Sequence, residues 1–154
     1  MAITTGRVDD VTTGFAPHPG NGVSAPGSPA ARSRLLIVDD HPAVREGLRS
    51  MLGPEPDLEV VAEAADGREA LHQAELARPD VVIMDIFMPG MGGIEATRAI
   101  KARWPHIRVV MFTALRTRSL VRRALAAGAD GYLLKDTPRH HLVNAIRTVA
   151  GGSI

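Results

Sequence analysis

Five short apolar runs, Leu35 to Val38, Leu58 to Ala62, Val81 to Met84, Ile107 to Phe112 and Tyr132 to Leu134, alternate with five segments of helical spacing. Those segments are Pro42 to Leu52, Gly67 to Ala77, Gly93 to Arg103, Ser119 to Ala127 and Pro138 to Ala150. No other feature narrows the fold as far. The run Val81-Val82-Ile83-Met84 is rich in β-branched residues and is bounded by Pro79 in front and Pro89-Gly90 behind, which reads as a strand buried on both faces. Pro42 suits a first helical turn, while Gly128 and Gly151 suit helix ends.

Strands that alternate with helices imply a parallel sheet covered on both faces, because each right-handed crossover returns a helix onto the sheet. The expected order is 2-1-3-4-5, a flavodoxin-like doubly wound (βα)5 α/β fold with its switch point between the first and third strands. Residues 34–154 are expected to form this domain. Residues 1–33 hold turn and linker sequences such as Pro17-His18-Pro19-Gly20 and Pro26-Gly27-Ser28-Pro29, with too few large apolar groups to offset the entropy of ordering. They are expected to be a disordered N-terminal extension.

At 154 residues and 45% hydrophobic content the chain has material for one core. A net charge of +1 leaves no excess of Lys and Arg to displace counterions from a phosphate backbone, which argues against a general polyanion binder. The absence of Cys rules out disulfides and thiolate metal sites. No stretch approaches the roughly 20 apolar residues of a membrane span, and the N-terminus lacks the apolar core of a secretory signal. A cytoplasmic location without membrane contact is the expectation.

Polar residues directly follow the apolar runs. The first strand closes with Asp39-Asp40, the third with Asp85, the fourth with Thr113 and the fifth with Lys135. A parallel sheet gathers all of these on one edge, where open α/β sheets place ligands. Three carboxylates crowded there repel one another unless a cation relieves them. With oxygen ligands and no clustered His pair, Mg²⁺ fits that need and shares its shell with a phosphate. Lys135 then supplies a point charge for a phosphoryl oxygen, Thr113 a hydroxyl, and Asp85 a carboxylate able to form an aspartyl phosphate.

Three separated stretches carry a resemblance: Leu36-Ile37-Val38-Asp39-Asp40-His41-Pro42, Asp85 through Ala96 with its Met88-Pro89-Gly90 turn, and Ala127 through Asp136. They resemble the receiver domain of a bacterial two-component response regulator, of the branch linked to LuxR-type helix-turn-helix output domains. The resemblance implies that Asp85 accepts phosphate from a sensor histidine kinase. It implies that Asp39, Asp40, Asp85 and the backbone carbonyl of Phe87 hold Mg²⁺, and that Thr113 and Lys135 contact the phosphoryl group. Tyr132 matches the aromatic switch residue, whose ring turns inward as the Thr113 hydroxyl moves toward the phosphate. Such a protein is a signalling switch and not a turnover enzyme. It would act in transcription regulation, reaching DNA only through a C-terminal output domain absent from this chain, and a homodimer through receiver helices is expected.

Each residue also has a plainer reading. Asp39 and Asp40 could cap the helix at Pro42, Asp85 could start a turn, and Thr113 could simply end a strand. Lys135 could be a solvated charge, and Tyr132 half-buried core with a wet hydroxyl. His41 is read as non-catalytic at the helix start, and His140-His141 as exposed. Asp136, not Pro, follows Lys135, so no cis peptide is assumed there. Phe87 and Leu115 are bulky and apolar two residues after Asp85 and Thr113, from which slow loss of the phosphoryl group is expected. Arg116, Arg118, Arg122 and Arg123 form either a solvated face or a docking surface for an acidic partner or for the absent output domain.

Two rival functions remain. A phosphohydrolase of the haloacid dehalogenase type would usually carry a second Asp where Phe87 stands. A binding-only pseudo-receiver serving as a constitutive interaction scaffold would be marked by loss of the acid pair, acceptor or lysine, and all are present, while a stand-alone receiver without DNA output stays open.

Overall fold

A computed structural model describes residues 31–151. The expectation of disorder for the N-terminal extension falls almost wholly on residues outside that range. Ten elements alternate strictly. β1 (Ser33–Val38), α1 (Pro42–Leu52), β2 (Leu58–Ala64), α2 (Gly67–Ala77) and β3 (Val81–Met84) are followed by α3 (Gly93–Arg103), β4 (Arg108–Thr113), α4 (Arg118–Ala127), β5 (Gly131–Leu134) and α5 (Arg139–Ala150). All strand pairs are parallel, in the order β2-β1-β3-β4-β5. The flavodoxin-like arrangement expected from the alternation is the one observed.

The apolar runs are continuous because both sheet faces are covered. Along β1, Leu36 and Val38 enter one core while Leu35 and Ile37 enter the other. β3 divides in the same way, Val82 and Met84 against Val81 and Ile83, and so does β4. Successive side chains of a strand point to opposite faces, so a run without polar residues feeds two cores at once. The first core is closed by Ala70, Ala74, Ile94, Ile100, Leu120 and Ala124 of α2, α3 and α4. The second is closed by Leu48 and Leu52 of α1 and by Leu142, Ile146 and Val149 of α5. Each fully buried Leu or Ile here contributes about 2 kcal/mol of transfer free energy.

Helix starts follow local chemistry. Asp66 caps α2, its carboxylate accepting from the Glu69 N–H at 2.8 Å, while Glu69 accepts from the Ala65 N–H at 2.7 Å. Thr117 caps α4 through the Leu120 N–H, and Gly128 ends it at φ +102°, where a side chain would be strained. Among the described residues no peptide bond is cis, including the one after Lys135. No described helix is long and apolar enough to cross a membrane.

α5 is tied down at both ends by charge. Arg147 bonds Asp57 from Nε at 2.7 Å and lies 2.5 Å from Glu55, which Arg139 also reaches at 2.7 Å. The Arg147 guanidinium holds the Asp57 carboxyl below its ordinary value of 3.8 against a smaller upward push from burial.

Candidate functional site

The carboxyl edge of the sheet is where the polar strand ends meet. Asp39 follows β1, Asp85 follows β3, Thr113 ends β4 and Lys135 follows β5. Backbone hydrogen bonds carry the ladder one step past the strands. Asp39 N–H donates to the Ala64 carbonyl at 3.0 Å, Asp85 N–H to Val38 at 2.9 Å, and Lys135 N–H to Thr113 at 2.8 Å. Each of these side chains is therefore mounted on backbone held by a neighbouring strand.

α3 begins hard against this edge. Gly93 N–H donates to the Ile86 carbonyl at 2.8 Å, and a Cβ on Gly93 would stand 1.9 Å from the Asp85 carbonyl oxygen. Only glycine permits that approach, which fixes the backbone leaving Asp85 and throws the loop from Phe87 to Met91 outward.

The geometry of the cluster is tight. Lys135 Nζ lies 2.8 Å from Asp39 Oδ2 and 3.5 Å from Asp85 Oδ2. Ligating atoms of Asp39, Asp40, His41 and Asp85 all fall within 4.8 Å of one another. Asp39 and Asp85 are 1% and 4% exposed, while Asp40 is more open at 26%. The His41 N–H donates to Asp39 Oδ1 at 2.9 Å, and its Nδ1 stands 3.2 Å from both Asp39 Oδ1 and Asp40 Oδ1. Arg45 donates to the Asp39 carbonyl at 2.6 Å and to Glu63 at 3.0 Å, pinning the turn from behind.

Burial raises the Asp85 carboxyl above its ordinary value; Asp39 pushes it further up, and Lys135 opposes both. Burial alone would pull the Lys135 ammonium down, but the Asp39 and Asp85 carboxylates outweigh it and hold the group up. One ammonium thus faces three acids, too little charge to relieve their repulsion. Three buried oxygens also lack a hydrogen bond among the described residues: Asp39 Oδ2, Asp40 Oδ1 and Thr113 Oγ1. The first two have Lys135 at 2.8 Å and His41 at 3.2 Å, within ion-pair distance. Thr113 Oγ1 has no partner, although such a group costs roughly 1–3 kcal/mol when left unmade. Hard oxygen donors, surplus negative charge and an unsatisfied hydroxyl fit a divalent cation together with an anionic group.

Tyr132 departs from the plainer expectation of half-burial. Its side chain is fully buried, and its hydroxyl donates to the Leu115 carbonyl at 2.6 Å. Burial raises the phenol above its ordinary value, with Arg116 opposing. The β4–α4 loop itself supplies the acceptor, which hydropathy could not show. Phe87 and Leu115 are 54% and 52% exposed. Arg116, Arg118, Arg122 and Arg123 are exposed, and none pairs with a carboxylate among the described residues. His140 is exposed, as expected, and stacks edge-on against the half-buried His141, away from the cluster. Sequence reasoning left out two residues that the structure brings in: His41, set aside as a helix-start residue, and Arg45, never singled out. The signal available was position alone, since both lie in or beside the first turn after the acid pair.

The fold and this edge define a flavodoxin-like α/β domain with an acid-and-amine cluster at its switch point. The response regulator receiver domain family matches residues 35–147, and the chain belongs to that family. The response regulator protein VraR of Staphylococcus aureus is 43% identical over 119 residues, which is 77% of this chain and 57% of VraR. The transcriptional regulatory protein DegU of Brevibacillus brevis is 41% identical over 119 residues, 77% of this chain and 50% of DegU. Among solved structures, a LuxR-family two-component response regulator from Aurantimonas sp. SI85-9A1 superposes with a TM-score of 0.75 at 42% identity, covering 79% of this chain and 87% of that one. The chain spans about half the length of the curated relatives it matches. It is a receiver domain of the kind found in transcriptional response regulators.

Proposed function

We propose that this domain is the phosphorylation-controlled input of a transcriptional regulator and that Asp85 is the phosphoacceptor. The observation that carries the proposal is the convergence of Asp85, the Asp39–Asp40 pair and Lys135 within ion-pair reach, with Thr113 Oγ1 buried and unpaired at the same edge.

In the transfer, an Asp85 carboxylate oxygen attacks phosphorus, the P–N bond to a phosphohistidine of a sensor histidine kinase breaks, and the released imidazole takes a proton. Asp39, Asp40, Asp85 and the Phe87 backbone carbonyl would hold Mg²⁺, which neutralises phosphoryl charge when bound. Lys135 leaves Asp85 and pairs with a phosphoryl oxygen. Thr113 Oγ1 gains the acceptor it lacks. Tyr132 is already inward with its hydroxyl on the Leu115 carbonyl, so the Thr113 movement would further stabilise this packing of the β4–α4 loop against its alternatives. Asp85 is a stoichiometric acceptor, and the chain acts as a switch. Contact with DNA would belong to an output domain of the LuxR-type kind, and a homodimer would be one consequence of activation.

Incubation with acetyl phosphate and Mg²⁺ followed by mass spectrometry tests this. The expected result is one phosphoryl adduct on Asp85, absent from Asp85→Asn. An unmodified wild-type chain, or an adduct that survives Asp85→Asn, would refute it.

A further inference from the structure

We propose that His41 is a cation ligand of this site and tunes it toward first-row ions such as Mn²⁺, beyond the all-oxygen set assigned above. The inference rests on the reading of the Asp39–Asp40–Asp85 cluster as a cation site.

The imidazole sits where a ligand would. Its Nδ1 is hydrogen-bonded to Asp39 Oδ1 at 3.2 Å and stands as close to Asp40 Oδ1, and a ring nitrogen lies within the 4.8 Å span that contains one oxygen of each of the three acids. That equidistance is not a side-chain accident on a loose loop. The His41 N–H bonds Asp39 Oδ1 at 2.9 Å, its carbonyl accepts from the Val44 and Arg45 N–H groups, and Pro42 fixes the helix start directly after it. Arg45 locks the preceding turn through the Asp39 carbonyl. The backbone that carries the ring is held from both sides.

The cluster has an independent mark of an incoming ligand. The fully buried Thr113 Oγ1 at the same edge has no hydrogen-bond partner among the described residues, and Asp39, 1% exposed, has only the Lys135 ammonium at 2.8 Å against its Oδ2. His41 itself is open, with its side chain 65% exposed, so the ring can turn onto an ion without disturbing the core.

The chemistry then separates ions. Mg²⁺ takes oxygen ligands and gains little from imidazole, whereas affinity for an imidazole-bearing site rises along the first transition row from Mn²⁺ onward. A neutral imidazole is the commonest protein ligand for such ions. An Asp-Asp-His face therefore has a donor whose contribution depends on which divalent ion arrives.

The test uses the full 154-residue chain and two metals, without phosphorylation. Calorimetric titration with Mg²⁺ and with Mn²⁺ is run on wild type, His41→Ala and His41→Gln, with a melting curve for each variant. Pulsed electron paramagnetic resonance on the Mn²⁺ form reads any ¹⁴N coupling to the ion. Expected are a nitrogen coupling in wild type that both variants lose, a Mn²⁺ affinity reduced about tenfold or more in both, and a Mg²⁺ affinity changed by less than about threefold. Mn²⁺ bound without nitrogen coupling in wild type overturns the role of His41, needs no variant, and leaves the cation site standing. A coupling that survives in His41→Gln also overturns it, because the nitrogen then belongs to another histidine. Failure of wild type to bind either ion, with Asp85→Asn indistinguishable from it, overturns the cation site itself.

Discussion

Replacing one glycine with alanine at two positions should move stability in opposite directions. Gly93 opens α3, and a Cβ there would lie 1.9 Å from the Asp85 carbonyl oxygen, 2.8 Å from its carbon and 3.0 Å from Ile86 Cα. All three atoms are backbone, so no side chain can rotate away. Relief requires α3 to back off the sheet edge, which stretches the 2.8 Å bond from Gly93 N–H to the Ile86 carbonyl. Overpacking of this kind costs about 1–3 kcal/mol, and the weakened hydrogen bond adds about 1 kcal/mol. Gly47, in the interior of α1, has nothing within 4 Å of the Cβ position. There the gain from reduced unfolded-chain entropy and better helix propensity is about 0.5–1 kcal/mol. Thermal melts followed by circular dichroism should place Gly93→Ala about 10 °C below wild type and Gly47→Ala a few degrees above it. Acetyl phosphate labelling of Asp85 should fall in Gly93→Ala even well below its melting point, because the displaced backbone carries the acceptor, and should be unchanged in Gly47→Ala. A Gly93→Ala chain with wild-type melting and wild-type labelling would show that the close packing of α3 on Asp85 does not set the site.

Three further outcomes are expected. Thr113→Val removes a buried hydroxyl without a hydrogen bond and should raise stability by about 1 kcal/mol while abolishing the phosphorylation-dependent change in Tyr132 environment, read by melting and by NMR of the tyrosine ring. Phe87→Asn, which puts a polar group two residues after Asp85, should speed loss of labelled phosphate about tenfold, equivalent to about 1.4 kcal/mol of barrier; an unchanged chase would refute slow hydrolysis by apolar crowding. Asp57 is held below its ordinary 3.8 by Arg147, so the contribution of this pair is complete above that pH and is lost as pH falls through 3.8 and below, where the unfolded chain takes up the proton first. With Asp57 43% exposed, screening limits the pair to about 0.5 kcal/mol, and the stability gap between wild type and Arg147→Gln should narrow by that amount between pH 6 and pH 3 in urea titrations.

The start of α1 was legible from Pro42, and the starts of α2 and α3 followed from the switch to helical spacing at Gly67 and Gly93, so those three helices begin and end where the pattern put them. β1 begins two residues before its apolar run because Ser33 and Arg34 pair with Leu58 and Glu59, a ladder that polar residues can join without any hydropathy signal. β4 starts at Arg108 rather than Ile107, whose N–H is taken by the turn bond to the Trp104 carbonyl. The register shift between Leu35 and Leu36 against β2 left no trace in composition. Asp39, Asp85, Thr113 and Lys135 could be placed on one edge because topology alone decides it. The positions of the His41 ring and the Tyr132 hydroxyl depend on side-chain torsions and on a loop carbonyl, which periodicity does not encode.

The acid pair, the acceptor and the amine each follow a different strand, and the amine comes after the last one, held by a bond from the Lys135 N–H to the Thr113 carbonyl of the strand before it. A nascent chain that has not yet docked β5 therefore lacks the counter-charge for Asp85. The counter-charge at that edge is in place only once the whole sheet has formed.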